Sequence, residues 1–182
     1  AMALPAPSAR GPLALEEALA RRRSVREYTS RRLSWDEIGQ LLWAAQGETH
    51  PQGLRTAPSA GALYPLEVYV VLPEGVYRYL PAGHALSLTQ TGDRRPALGD
   101  AALKQGAVYQ APAVFVIAAI YARTAGKYGE RAERYVHIEV GHAAQNLLLQ
   151  ATALGLGAVP IGAQTKSRRL QEQVLGGVTD FD

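Results

Sequence analysis

Cysteine is absent from all 182 residues. That excludes disulfides, zinc–thiolate sites, iron–sulfur clusters and a cysteine nucleophile together. The absence fits a reducing compartment, and a cytoplasmic location is the expectation. Long apolar runs are also lacking: none reaches the roughly 18–20 residues of a membrane helix. Residues 1–12 are rich in proline and alanine and have no apolar h-region, so they do not read as a secretory signal. The expectation is a flexible tail over 1–12 and a single domain over 13–182. Repeats, low-complexity blocks and an interdomain linker are missing. A strong excess of one charge is missing too, with 19 Lys and Arg against 16 Asp and Glu and a net charge of +3. The basic residues bunch at 21–23 and 31–32, with smaller groups at 94–95 and 168–169, but acids are interleaved almost everywhere. That distribution argues against a nucleic-acid surface.

What is present is ordered by clear periodicities. Residues 13–22 have helical spacing, with Leu15, Ala18 and Leu19 on one face. Ser34–Trp35–Asp36–Glu37 is a capping box, and the helix it opens carries Trp35, Ile38, Leu41, Leu42 and Ala45 on one stripe, with Gly47 as its cap. Residues 67–72 and 76–80 read as a hairpin, 85–89 as a third strand, and 93–110 as mixed and helical. The apolar run 113–121 is expected to be a strand buried on both faces. Residues 131–154 form the longest helical stretch, with so little polar face that it belongs in a core or at a subunit contact. A short extended segment over 158–163 and a last helix over 167–175 follow.

Several clusters could carry chemistry. Arg22–Arg23–Ser24–Val25–Arg26 places guanidinium forks and a hydroxyl where they can surround one phosphate, or the arginines can serve a solvated helix end. Pro58–Ser59–Ala60–Gly61–Ala62–Leu63–Tyr64–Pro65 sets small residues between prolines, which suits either close approach by a ligand or a tight structural turn. Residues 155–162, GLGAVPIG, superficially resemble a dinucleotide fingerprint, but they follow a helix rather than a strand and Pro160 takes the third glycine position. His137 and His142 are five apart, about 140° around a helix, and so cannot share a metal on one face. No metal site is expected, and His142 reads as a core or near-site histidine. Lys127 and Tyr128 lie in a charged stretch that reads locally as a surface loop.

Taken in order, RRRSVREY, APSAGALYPLEVYVV, GVYRYLPAGHAL and KYGERAERYVHIEVGHAAQNLLLQATALGLGAVPIGA closely resemble the nitroreductase superfamily, over about residues 13–175. Within it the chain is similar to the SagB-type branch, which includes azoline dehydrogenases. The resemblance implies an α+β fold of three layers, α/β/α, with a mixed, largely antiparallel central sheet. It also implies a homodimer with FMN at the subunit interface. Residue by residue, Arg22, Arg23, Ser24 and Arg26 match the phosphate- and ribityl-binding motif. Pro58, Ser59, Ala60, Gly61 and Ala62 match the loop that reaches the flavin from the other subunit. Pro160, Ile161, Gly162 and Ala163 match the segment over the isoalloxazine, with a backbone N–H near Gly162 or Ala163 directed at N5. Gln105 is a candidate for the pyrimidine edge. Lys127 and Tyr128 match the Lys–Tyr pair of azoline dehydrogenases, and Gly126 and Gly129 would permit the irregular backbone that lets both point into one site. The family pattern continues beyond the last helix into a strand and an extension that crosses to the partner. This sequence ends at Asp182 without them, so the expectation is a shortened chain or a dimer that closes differently, with FMN affinity affected.

The activity this implies is two-electron oxidation of a small-molecule or peptide substrate, for example an azoline, by an FMN-dependent oxidoreductase. The alternatives are NAD(P)H-dependent reduction of a nitroaromatic or quinone, and a flavin-holding module without turnover.

Overall fold

The computed structural model describes residues 1–162 and Val174. Ala163 and the helix expected over 167–175, Val174 apart, lie outside the described residues. The elements run β1 (Met2–Ala3), α1 (Leu15–Arg21), α2 (Trp35–Gln46), β2 (Leu66–Leu72), β3 (Gly75–Leu80), β4 (Ala85–Thr91), α3 (Arg95–Ala101), α4 (Gly106–Gln110), β5 (Val114–Ala119), α5 (Tyr121–Tyr128) and α6 (Ala132–Ala153). Single 3₁₀ turns precede β2 at Ala60–Ala62 and α6 at Gly129–Arg131.

The described strands form one sheet in the order β1-β4-β3-β2-β5, and every neighbouring pair is antiparallel. The parallel component expected for the sheet is confined here to one isolated bridge, Ser24 with Ala158. Successive side chains of β2 alternate between two cores, as the two-residue period of a strand requires. Val68, Val70 and Leu72 pack with Ile38 and Leu42 of α2 on one face. Tyr69 and Val71 pack with Leu98, Ala102 and Val108 of the α3–α4 pair, and with Val174, on the other. Leu66 joins Val136 and Ala143 of α6 in a third cluster on the α2 side. The result is helix, sheet, helix, an α+β arrangement.

Several expectations need correction. The strand buried on both faces is β2, whereas the more apolar β5 is half-buried along its whole length. β5 occupies the edge of the described sheet, so composition alone overstated its burial. Residues 93–110 form two short helices, because Leu103 and Lys104 take left-handed backbone angles between them. The N-terminal stretch is not wholly a free tail. Met2 and Ala3 pair with β4, Leu4 is buried in the α2-side core, and the Ser8 N–H donates to Gln40 Oε1 at 2.8 Å. The apolar faces of α1 and α6 are left partly uncovered by this chain, which leaves the subunit-contact alternative for α6 open. Leu15 is 61% exposed, Leu19 52% and Ile138 50%.

Other local readings hold. Ser34 Oγ accepts from the Glu37 N–H, and a Glu37 carboxylate oxygen accepts from the Ser34 N–H at 2.8 Å. α6 ends as a Schellman motif: Gly155 sits at φ +73, its N–H donates to Thr152 O at 3.1 Å, and the Leu156 N–H donates to Ala151 O at 2.8 Å.

Candidate functional site

Two groups of candidate residues assemble around α6, toward opposite ends. The first joins the arginine segment to the chain beyond the helix. The Val25 N–H donates to Ala158 O at 3.0 Å, and Val25 packs where a side chain on Gly157 would otherwise stand. Residues 22–26 and 158–162 are therefore neighbours, although more than 130 positions separate them in sequence. Arg23 is partly committed to structure, since its Nη1 donates to Ala20 O at 3.0 Å and Arg22 O at 2.7 Å, capping the end of α1. Arg22 and Arg26 make no ion pair among the described residues. Pro160 and Gly162 are exposed, and Ile161 leans into the α3–α4 core. A side chain built on Gly162 would meet nothing within 4 Å among the described residues.

The second group is the 58–62 loop and its surroundings. Ser59 Oγ accepts from the Tyr64 N–H at 2.9 Å and closes the turn. Inside it Gly61, Ala62 and Tyr64 take left-handed φ values of 64°, 53° and 46°. Two of these three carry a side chain, for which that region is disfavoured. Tyr64 is the hub that holds the turn in place. Its hydroxyl accepts from the Arg55 N–H at 3.1 Å, its ring lies 4.5 Å beneath the Arg55 guanidinium, and its carbonyl accepts from Arg123 Nη1 at 3.1 Å.

Lys127 and Tyr128 come to this loop together. A Cβ at Gly61 would stand 2.9 Å from Tyr128 Oη and 3.1 Å from Lys127 Nζ. The backbone that delivers them is helical rather than irregular: both residues close α5, and only Gly129 beyond them turns to φ +53. They can converge because the loop approaches from the side, with glycine offering no Cβ to separate them. Lys127 Nζ lies 5.5 Å from the centre of the Tyr128 ring, and Tyr128 meets Tyr135 edge to face at 5.0 Å. Arg131 sits over both tyrosine rings at 5.8 and 5.9 Å. Arg123, one turn of α5 before Lys127, is engaged by Glu67 at 2.6 Å.

Pro58, Ser59 and Ala60 line a cavity of about 220 Å³ with Tyr135, Ile138, Glu139 and His142 of α6. Sequence reasoning missed Glu139. It is 2% exposed, and burial pushes its carboxyl above the ordinary carboxylate range against the opposing pull of the Ser59 hydroxyl, Arg55 and His142. The signal was available, because buried positions of α6 recur at Ala132, Val136, Glu139 and Ala143, spacings of four, three and four that lead on to Ala151, and one of them is an acid. The two histidines do diverge: His142 lines this cavity, and His137 Nε2 pairs with the Tyr121 hydroxyl at 3.1 Å. Gln105 stands at the start of α4, on the opposite face of the sheet from α6, and its side chain makes no hydrogen bond among the described residues.

The comparisons with known proteins agree with this architecture. The family model described as "Nitroreductase family" matches residues 19–178. A nitroreductase-family protein of Methanocaldococcus jannaschii is 50% identical over 155 residues, covering 82% of this chain and 78% of the relative. Among solved structures, one from the same family in Ralstonia eutropha superposes with a TM-score of 0.83 at 32% identity, over 96% of this chain and 81% of that one. A chain of the Escherichia coli microcin synthetase McbBCD complex, solved with truncated pro-MccB17 bound, gives 0.72 at 25% identity, over 92% and 68%. A Desulfovibrio desulfuricans protein solved in complex with FMN shares the fold, with a TM-score of 0.59 at 24% identity, over 82% and 67%.

Proposed function

The chain belongs to the nitroreductase family and is an FMN-dependent oxidoreductase, and we propose that it removes two electrons from a small-molecule or peptide substrate of azoline type. The observation that carries this reading is the convergence of Lys127 and Tyr128 on Gly61, which gives one point of the site both an amine and a phenol. Reducing a flavin with NAD(P)H needs no protein base, whereas dehydrogenating a ring needs a group to take a proton. The likeness to a chain of the microcin synthetase complex supports a peptide substrate.

The residues present fit FMN. Arg22 and Arg26, both without an ion-pair partner among the described residues, would hold the phosphate, with Ser24 beside them as a further donor. Gly162 offers no side chain to a planar ring laid against the 160–162 segment, and Ala163 is assigned to the same segment by sequence. When bound, FMN supplies the two-electron acceptor of the reaction. Lys127 or Tyr128 takes the proton that leaves the substrate, and the other orients the ring. Gly61 keeps the two functional groups at one place, and Tyr64 with Arg55 and Arg123 fixes the loop. Pro58, Ser59, Ala60 and Ala62 form the rest of that wall.

Pairing of two copies completes the site. Pro58, Ser59 and Ala60 meet α6 no later than His142, whereas Ser24 pairs with Ala158 beyond its C-terminus. Fourteen residues separate Glu139 from Ala153, the end of the helix, about 21 Å at the helical rise. Two chains packed through the exposed faces of α1 and α6 would bring the arginine segment of one to the 58–62 loop of the other. The exposed Leu15, Leu19 and Ile138 support that packing.

A second reading is NAD(P)H-dependent reduction of a nitroaromatic or quinone, favoured by the family of the 50% identical relative. Anaerobic mixing of FMN-loaded protein with NADPH, and separately with an azoline-containing peptide, tests the two. Bleaching of the flavin by the peptide supports the first reading. Rapid bleaching by NADPH alone, with none by the peptide, replaces it with the second.

A further inference from the structure

The buried carboxyl of Glu139 has no role in the chemistry above, and one of its oxygens, Oε1, lacks a hydrogen-bond partner among the described residues. A buried acid left partly unpartnered is costly, and a core position of this kind would ordinarily hold an alanine or valine. Its neighbours on the same stripe, Val136 and Ala143, are of that kind. We propose that Glu139 is a positioning residue of the site, acting through Ser59 on the 58–62 loop and through that loop on Lys127 and Tyr128. The inference rests on the proposed function only in treating those two side chains as the reactive pair.

The linkage runs through four contacts. Glu139 and Ser59 face the same cavity, and the Ser59 hydroxyl favours the charged form of the carboxyl. Ser59 Oγ in turn accepts the Tyr64 N–H, the bond that closes the turn. The turn holds three left-handed residues, which persist only where the surroundings over-determine them. Gly61, the first of these, faces both Tyr128 and Lys127, whose ends would meet a Cβ placed there. A change in the hydrogen bonding or charge of Glu139 is therefore felt, through Ser59 and the turn, at the loop face against which the amine and phenol rest.

The charged and titratable groups facing Glu139 are Arg55 from the segment after α2, and Tyr135 and His142 from α6. Arg55 is itself half-buried, with Nε unpartnered among the described residues and Nη1 given to Gln46 Oε1 at 2.8 Å. Burial holds Glu139 in its neutral form beyond the usual carboxylate range. Ionisation at higher pH would strengthen the hydrogen bond the carboxylate accepts from Ser59, make Ser59 Oγ a better acceptor for the Tyr64 N–H, and tighten the turn.

Hydrogen exchange of the peptide spanning residues 59–64, corrected for the intrinsic pH dependence of exchange, reads the loop without relying on turnover. It is measured on the FMN-loaded parent, Glu139→Gln and Glu139→Ala from about pH 5 to about pH 9, the range over which buried carboxyls titrate. Protection in the parent should rise as pH rises. Glu139→Gln, which keeps shape and hydrogen bonding without a charge, should hold its protection constant with pH. Glu139→Ala should exchange about tenfold faster at every pH, the effect of a lost partner on a buried polar group. Labelling of Lys127 by an amine reagent should follow the same pattern. If Glu139→Ala does not fold, Glu139→Gln decides alone. A Glu139→Gln profile that follows the parent with pH, in both exchange and labelling, overturns the proposal. That outcome leaves the azoline reading standing, because the latter is judged by flavin bleaching.

Discussion

Gly61→Ala puts the geometry of the reactive pair under direct stress. Gly61 sits at φ +64, and an alanine there would carry a Cβ 2.9 Å from Tyr128 Oη, 3.1 Å from Lys127 Nζ and 3.4 Å from Lys127 Cδ. The backbone term is about 1–2 kcal/mol for a non-glycine residue in the left-handed region. The loop has little freedom to relieve it, since Ala62 and Tyr64 already lie in the same region. The steric term falls on the far ends of two flexible side chains, which move aside at small energetic cost. Stability and activity should therefore part company. A loss of about 1–2 kcal/mol lowers the melting temperature of a chain this size by about 2–8 °C. Displacing Tyr128 and Lys127 by a sizeable fraction of an ångström should slow substrate-driven flavin reduction by about 10- to 100-fold, given that a 1 Å misplacement can cost 10²-fold. Thermal unfolding and stopped-flow flavin bleaching on the same FMN-loaded sample measure both. A Gly61→Ala protein that reduces its flavin at the parent rate would refute the placement of the pair against this loop.

Other consequences can be checked separately. Arg26→Ala and Arg22→Ala should each weaken FMN binding by about 10- to 150-fold in a fluorescence titration, the equivalent of about 1.5–3 kcal/mol for a charge-assisted hydrogen bond. Lys127→Ala and Tyr128→Phe should keep FMN and its spectrum but slow substrate-driven flavin reduction by about 10²-fold or more, with reoxidation by oxygen unchanged. Because Glu139 holds its proton more tightly folded than unfolded, stability in urea should fall as pH rises from the ordinary glutamate value through the raised one, and Glu139→Gln should remove that fall. Glu37 behaves oppositely: its bond to Arg31 lowers its pKa, so the stability it gives is lost as pH falls through that lowered value, and Glu37→Gln should flatten the acid limb.

The sequence was most legible where one local rule decides the outcome. The Ser34–Glu37 capping box, the β2–β3 hairpin and the Gly155 terminus each depend on a few adjacent residues, and each appears as expected. Burial was less legible. β5 is more apolar than β2, yet β2 is the strand covered on both faces, because strand order places it between β3 and β5. Nothing within 113–121 encodes that order. The candidate site showed the same division. Residues 22–26 and 58–62 could be singled out by their side chains, but their positions toward opposite ends of α6 belong to the packing. From sequence, the convergence of Lys127 and Tyr128 calls for an irregular backbone. A helix achieves it because the missing side chain is on Gly61, in another segment. Glu139 went unread because His137–Ile138–Glu139–Val140–Gly141–His142 draws attention to its histidines, while the buried stripe passes through the acid between them.

Sedimentation velocity of the purified protein with added FMN, followed at the flavin absorption band, tests the central claim most directly. The account predicts that flavin sediments with the protein at the mass of two chains, and that Arg26→Ala leaves most of it unsedimented at the same concentration. Flavin that stays in free solution above a colourless protein boundary would contradict it.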